Sequence, residues 1–238
     1  MDRNSVKRAD LFSRRAGFYH AECKVKFTYA THALWTAETK PQGTAEIKGR
    51  MAKEQWKRLL KFNCTGCGNC CRDTVVCLTD ADVRRVVDGT GERAESFVQF
   101  YGEDEVALSA RSPFWVTFDK KKAVMGLRWT GGHCLFLDET NRCTIYEHRP
   151  VTCRQHPFDI RLSETGAVTH LSLSRVVDCP HDWSGQLTRR GLRSLLCWND
   201  RQVQRYFAKV RNWNRTQEGI KTTESFLAFL GFNEGTEG

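Results

Sequence analysis

The sequence predicts an α+β fold: a small cysteine-rich domain with short strands and a long C-terminal helix. Three observations predict it. From Arg189 to Trp213, apolar residues fall at 192, 195, 196, 203, 206, 207, 210 and 213, the period of one face of a long helix. Short apolar runs at Phe114–Phe118, Val124–Trp129, Ile160–Leu162 and Val168–Leu173 read as strands. Four cysteines crowd into eight residues, Cys64-Thr-Gly-Cys67-Gly-Asn-Cys70-Cys71, between the first helical segment and the strands.

Each element follows in order. Residues 1–50 form a basic extension and linker, with Arg3, Lys7, Arg8, Arg14, Arg15, Lys24 and Lys26 near the start and Pro41, Gly43 and Gly49 near the end. Met51–Lys61 presents Trp56, Leu59 and Leu60 as a short helix that delivers Phe62 and the first cysteine turn. Thr79-x-x-Asp82 is a variant capping box opening a helix through Val83, Val86 and Val87, which Gly89 and Gly91 end. Glu92–Tyr101 reads as a second short helix. Lys120–Lys122 joins the first two strands, and Glu164–Gly166 turns the hairpin of the second two. Thr222–Phe229 is a last short helix. The expected division is a cysteine-cluster domain over 51–182, a helical segment over 183–232 and a mobile tail over 233–238.

Composition limits the function. The 238 residues carry 37 Lys+Arg against 28 Asp+Glu, a net charge of +9. The excess lies in the flanks, at net +8 for residues 1–63 and +4 for 183–238, while 64–182 is slightly acidic at net −3. Basic flanks suit an acidic protein or nucleic-acid partner, although mixed charges without long blocks also describe ordinary solvated helix faces. The 40% hydrophobic and 11% aromatic content is too high for a disordered chain. No apolar run is long enough for a transmembrane segment, and the N-terminus lacks the apolar stretch of a signal peptide. A cytoplasmic location is expected.

Eleven cysteines are the anomaly. Secreted disulfide scaffolds are shorter chains with leader peptides, so this density points to metal. Two cysteines three positions apart close a turn that aims both sulfurs at one point. Gly66 and Gly68 permit positive φ there, which exposes backbone N–H groups to thiolate sulfur. Such turns suit zinc or an iron–sulfur cluster. Cys64-x2-Cys67-x2-Cys70, with Cys179 before Pro180, matches the bacterial ferredoxin order in part, but Cys71 follows without the usual spacer. Adjacent side chains pointing apart would put Cys71 at a second metal or outside the cluster. Gly89-x-Gly91-x-x-Ala94 fits a dinucleotide fingerprint formally but follows a helix rather than a strand, so it is rejected.

Downstream stand His133-Cys134-Leu-Phe-Leu-Asp, Arg142-Cys143-Thr-Ile-Tyr146-Glu, and Arg149-Pro150-Val-Thr-Cys153-Arg154-Gln-His156-Pro157-Phe158. With Phe62-Asn-Cys64-x2-Cys67-Gly-Asn-Cys70-Cys71-Arg72 upstream, the chain resembles the YkgJ-like cysteine-cluster family, also called CxxCxxCC or the zinc- or iron-chelating domain, over about residues 60–180. The resemblance implies an intracellular metal-binding domain. Its implied ligands are Cys64, Cys67, Cys70, Cys71, Cys134, Cys143, Cys153 and Cys179, the last by a looser match. They would hold an iron–sulfur cluster, 4Fe-4S, or zinc, at one site or two. A related module occurs in flagellin lysine N-methylases.

Thiolate sites are negative, and Arg72, Arg142, Arg149 and Arg154 lie beside ligands as candidate counter-charges. Tyr146 reads as a core ring. Cys77 and Cys197 read as small buried hydrophobes, and Cys23 is isolated. His156 reads as packing, while His133 and His181 flank cysteines with no pattern to separate a sulfur-supporting role from a surface one. Three functions follow as expectations. One is a metal-binding protein with a structural or electron-carrying cluster. Another is a methylase of the flagellin lysine type, for which no cofactor loop is visible. The third is a nucleic-acid or ribosome adaptor using Trp198, Tyr206, Phe207 and Trp213 beside Arg201, Arg205 and Arg211, aromatics that the helical period assigns to the core instead.

Overall fold

The structure is a computed structural model that describes residues 56–73, 75–163, 167–173, 179–216 and 219–232. The expected N-terminal extension, Cys23, the turn at 164–166 and the C-terminal tail lie outside them. In chain order the elements are β1 (Asn63–Cys64), α1 (Cys70–Asp73), α2 (Asp80–Thr90), α3 (Ala94–Phe97) and β2 (Val98–Tyr101). Then come β3 (Val116–Thr117), β4 (Lys122–Leu127), β5 (Trp129–Thr130), β6 (His133–Cys134), a 3-10 turn (Tyr146–His148) and α4 (Val151–Gln155). The chain closes with β7 (Phe158–Leu162), β8 (Val168–Leu173), β9 (His181–Asp182), α5 (Arg189–Arg215) and α6 (Thr223–Phe229). The mixed α+β reading and the long helix near the C-terminus hold.

Two compact units divide the described chain. One holds residues up to Cys67 together with 157–198, and the other holds 68–156 and 199–232. In the first, β7 and β8 pair antiparallel with Phe158 opposite Leu173 and Ile160 opposite Leu171. Leu59, Phe62, Phe158, Ile160, Leu171, Leu192 and Leu196 form its core. A separate ladder joins β1 to β9, with Asn63 opposite Asp182 and Cys64 opposite His181.

In the second unit β4 is the central strand of the order β2-β4-β3, antiparallel to both neighbours. Strand alternation sends side chains to opposite faces. Ala123, Met125 and Leu127 join the main core with Phe97, Tyr206, Phe207 and Phe226. Val124 faces the other way, into a smaller cluster with Tyr101 and Trp115. Both faces of β4 are therefore covered, which is why it reads as an unbroken apolar run rather than an alternating one.

Two expectations need correction. Glu92–Tyr101 is not one helix: α3 stops at Phe97, and Val98–Tyr101 becomes a strand whose Val98 and Tyr101 stand opposite Leu127 and Val124. Pairing with β4 overrides the helical spacing, since a strand edge offers four residues a ladder and two buried faces. Gly89 lies inside α2, which continues to Thr90 and ends on Gly91 at φ 75°. The His148 ring lies against Gly89, where an added Cβ would stand 2.0 Å from Nδ1.

The capping box at Thr79 is present, with a further role. Asp82 is buried, and its Oδ2 accepts from the Thr79 amide (3.0 Å) and hydroxyl (2.7 Å). Its Oδ1 accepts from the amide of Val151 (2.8 Å), the first residue of α4. Replacing Asp82 with Ala strands three donors in the interior. We expect a loss of about 2–4 kcal/mol, measured by urea unfolding.

Candidate metal centre

Cys70, Cys71, Cys134, Cys143 and Cys153 all belong to the second unit. Cys64, Cys67 and Cys179 belong to the first. None of the ten described cysteines is in a disulfide.

Gly68, at φ +75°, lets the chain ahead of α1 pass close to the 137–143 loop. An added Cβ would stand 2.9 Å from Arg72 Nη1, 3.0 Å from Leu137 Cδ1 and 3.1 Å from the Asn141 carbonyl. Arg72 donates through Nη2 to Asn141 Oδ1. The loop itself closes around Asp138, whose Oδ1 accepts from the amides of Thr140 and Arg142 (both 2.8 Å) and from the Thr140 hydroxyl (2.7 Å). Those donors, led by the Arg142 amide, hold the Asp138 carboxyl below the usual range. Asn141 takes φ 61°, and an isolated bridge pairs Leu137 with Cys143. The helix α1, carrying Cys70 and Cys71, packs on β6, which ends in the buried Cys134. Cys153 follows on α4, held in place by Asp82.

The five sulfurs sense one another. Charge at Cys70, Cys134 and Cys143 raises the Cys153 thiol, which burial had already pushed well up. Burial, opposed by the Phe136 amide, lifts Cys134 to about 11, with Cys143 and Cys70 adding to the rise. Burial likewise raises Cys143. Cys70 runs the other way. The Cys71 thiol donates to it, and the Arg149 guanidinium adds its charge, lowering Cys70 to about 7 while Cys71 is raised.

The adjacent pair therefore does not splay as expected from sequence. Cys70 and Cys71 open a helix, where neighbours differ by about 100° rather than a strand's 180°, so their thiols can bond. Among the described residues, no three Cys, His, Asp or Glu side chains are gathered tightly enough to hold an ion as they stand. A metal would displace the thiol protons, and with them the Cys70–Cys71 hydrogen bond.

The arginines divide. Arg149 favours thiolate at Cys70, Cys143 and Cys153, donates through Nε to the Tyr146 carbonyl (2.7 Å) and lies 3.6 Å over the Tyr146 ring. Tyr146 is thus no core ring: it is 38% exposed and serves as a platform for that guanidinium. Arg72 turns to Asn141 and the Gly68 carbonyl. The Arg142 amide serves the Asp138 loop. Arg154 is lowered by burial and by its neighbours Arg85 and Arg149. His156 is half-buried and kept neutral by that burial, with Nε2 buried and lacking a hydrogen-bond partner. Sequence reasoning assigned it to packing; its spacing from Cys153 was the available signal.

In the first unit the Gly66 amide donates to Cys64 Sγ (3.4 Å), with Gly66 at φ 71°, the expected sulfur turn. Cys64 and Cys179 both pack on that unit's core. Cys197 is buried on α5, and Cys77 forms a bridge opposite Gly126, where burial pushes its thiol up to about 11. Tyr206 and Phe207 are buried, and Trp213 packs on Phe226 at 5.1 Å, so these aromatics belong to the core as the helical period implied. No described helix is long and apolar enough to cross a membrane.

The donor set fits a thiophilic metal: five half-buried or buried thiols in one unit, none in a disulfide, with the Arg149 charge acting on three of them. No curated protein and no solved structure matches the chain. Residues 63–174, just under half of the chain, match one family model, CxxCxxCC, described as a putative zinc- or iron-chelating domain.

Proposed function

We propose that this chain is a metal-binding protein whose thiols hold zinc or an iron–sulfur cluster of the 4Fe-4S type. The carrying observation is that Cys70, Cys71, Cys134, Cys143 and Cys153, drawn from residues 70–153 of a family-matched segment, influence one another's ionisation and are all free. Cys70, Cys134, Cys143 and Cys153 would be the ligands of one centre, with Cys71 bound or donating to it. Cys64, Cys67 and Cys179 are the remaining candidate ligands.

When bound, the metal supplies a charge that makes thiolates stable where burial alone opposes them. The protein's own contribution is positional. Asp82 seats α4, Gly68 admits α1 to the loop, and Arg149 offsets the negative charge of a sulfur-rich centre. A structural or electron-carrying role follows for the bound group. The methylase and nucleic-acid readings draw no support from a specific feature of the described residues.

Purification without oxygen separates the metals. Visible sulfur-to-iron absorption with acid-labile sulfide marks the cluster, and colourless protein with stoichiometric zinc marks the alternative. Cys143→Ser and Cys153→Ser are each expected to lose most of the bound metal, read by elemental analysis on folded protein. Arg149→Ala is expected to weaken metal binding by about 10–100-fold, read by competition with a chromogenic chelator. Stripping the metal is expected to lower the thermal midpoint by roughly 10 °C, recovered on reloading, since binding free energy is folding free energy here.

A further inference from the structure

The first unit sets a second group of donors on neighbouring segments, without closing them to coordinating distance as they stand. The β1–β9 ladder sets Cys64 directly opposite His181. Opposed residues of an antiparallel pair project to the same face, with Cβ atoms about 4.5–5.5 Å apart. The Thr65 hydroxyl donates to the Pro180 carbonyl (2.7 Å), fastening the sulfur turn to the segment that carries Cys179. Cys64 and Cys179 pack against the same apolar cluster. Cys67 closes the turn three residues after Cys64, and the Gly66 amide already donates to the Cys64 sulfur.

His181 is oriented as a ligand would be. Its Nδ1 lies 2.6 Å from the Cys179 carbonyl. A carbonyl only accepts, so Nδ1 carries a proton, and in the neutral ring Nε2 is then the nitrogen with a lone pair to give. The ring is fixed between Phe62 (5.2 Å) and Trp183 (4.5 Å, edge-on). Metal-bound histidines are held in this way, by a backbone carbonyl on the nitrogen that does not bind.

We infer that Cys64, Cys67, Cys179 and His181 form a separate zinc site within this unit, of the three-sulfur, one-nitrogen type, distinct from the five-thiol centre of the other unit. The inference rests on the metal-binding reading and assigns His181, for which the sequence alone gave no role. Four ligands with no vacant position make a closed, structural site. It would fasten β1 and β9, a ladder of only two residues per strand that is too short to be stable by its own hydrogen bonds.

The test uses the full chain and zinc alone, with Cys143→Ser as the control for the other unit. The wild type is expected to show imidazole scattering in the zinc X-ray absorption spectrum. His181→Ala is expected to lose one zinc equivalent per chain that Cys143→Ser retains. His181→Cys is expected to keep that equivalent and lose the imidazole contribution, which holds even if the alanine variant folds poorly. Unchanged zinc content in His181→Ala, or undiminished imidazole scattering in His181→Cys, overturns this site alone. A wild-type chain that binds neither zinc nor iron overturns the metal reading and this site together.

Discussion

The buried carboxylate of Asp82 is the joint on which the second unit depends. A charge in the interior needs full hydrogen bonding, and Asp82 obtains it from two places far apart in the chain. One oxygen caps α2 through Thr79, and the other takes the amide of Val151 across 69 positions. That amide is one of the orphan donors every helix start carries. Pro150, at the N-cap, has no side-chain acceptor to offer it, and Asp82 supplies one from another helix. Cys153, two residues further on, inherits its position from a residue that belongs to another helix.

Around this joint the thiols face opposing demands. Burial raises Cys134, Cys143 and Cys153 toward the neutral form, and each charged sulfur would raise the next. Arg149 and the Cys71 thiol work in the other direction at Cys70. Five thiols of this kind cannot all ionise unless a cation joins them. The protein thus gathers sulfur at a place where thiolate is unfavourable without metal, which couples metal binding to the packing of the unit. The exposed Tyr146 ring makes sense in this setting, since it steadies the guanidinium whose charge the sulfurs feel.

Much of the fold was legible. The long helix announced itself by its apolar period, and α5 covers the expected stretch with Leu192 and Leu196 in one core and Tyr206, Phe207 and Val210 in the other. The capping box at Thr79 was readable because the side chains that satisfy a helix start are local. The β7–β8 hairpin and the β3–β4 pair were readable for the same reason, being neighbours in the chain. The strand at Val98–Tyr101 was not, because what makes it a strand is β4, more than twenty residues later. Tyr146 was misjudged because its environment is a guanidinium, not an apolar neighbour.

By itself the sequence determined that this chain concentrates thiols at metal-ligand spacing, that glycines at 66 and 68 shape the turn between them, and which stretches could be helix or hairpin. Those are properties of near neighbours. Tertiary structure alone decided that the cysteine run divides after Cys67 between two units, that the Cys71 thiol hydrogen-bonds to Cys70, that Arg149 is the guanidinium whose charge favours thiolate at Cys70, Cys143 and Cys153, and that His181 stands opposite Cys64. Each of these depends on groups tens of residues apart meeting through burial and strand pairing, and no local spacing encodes such a meeting.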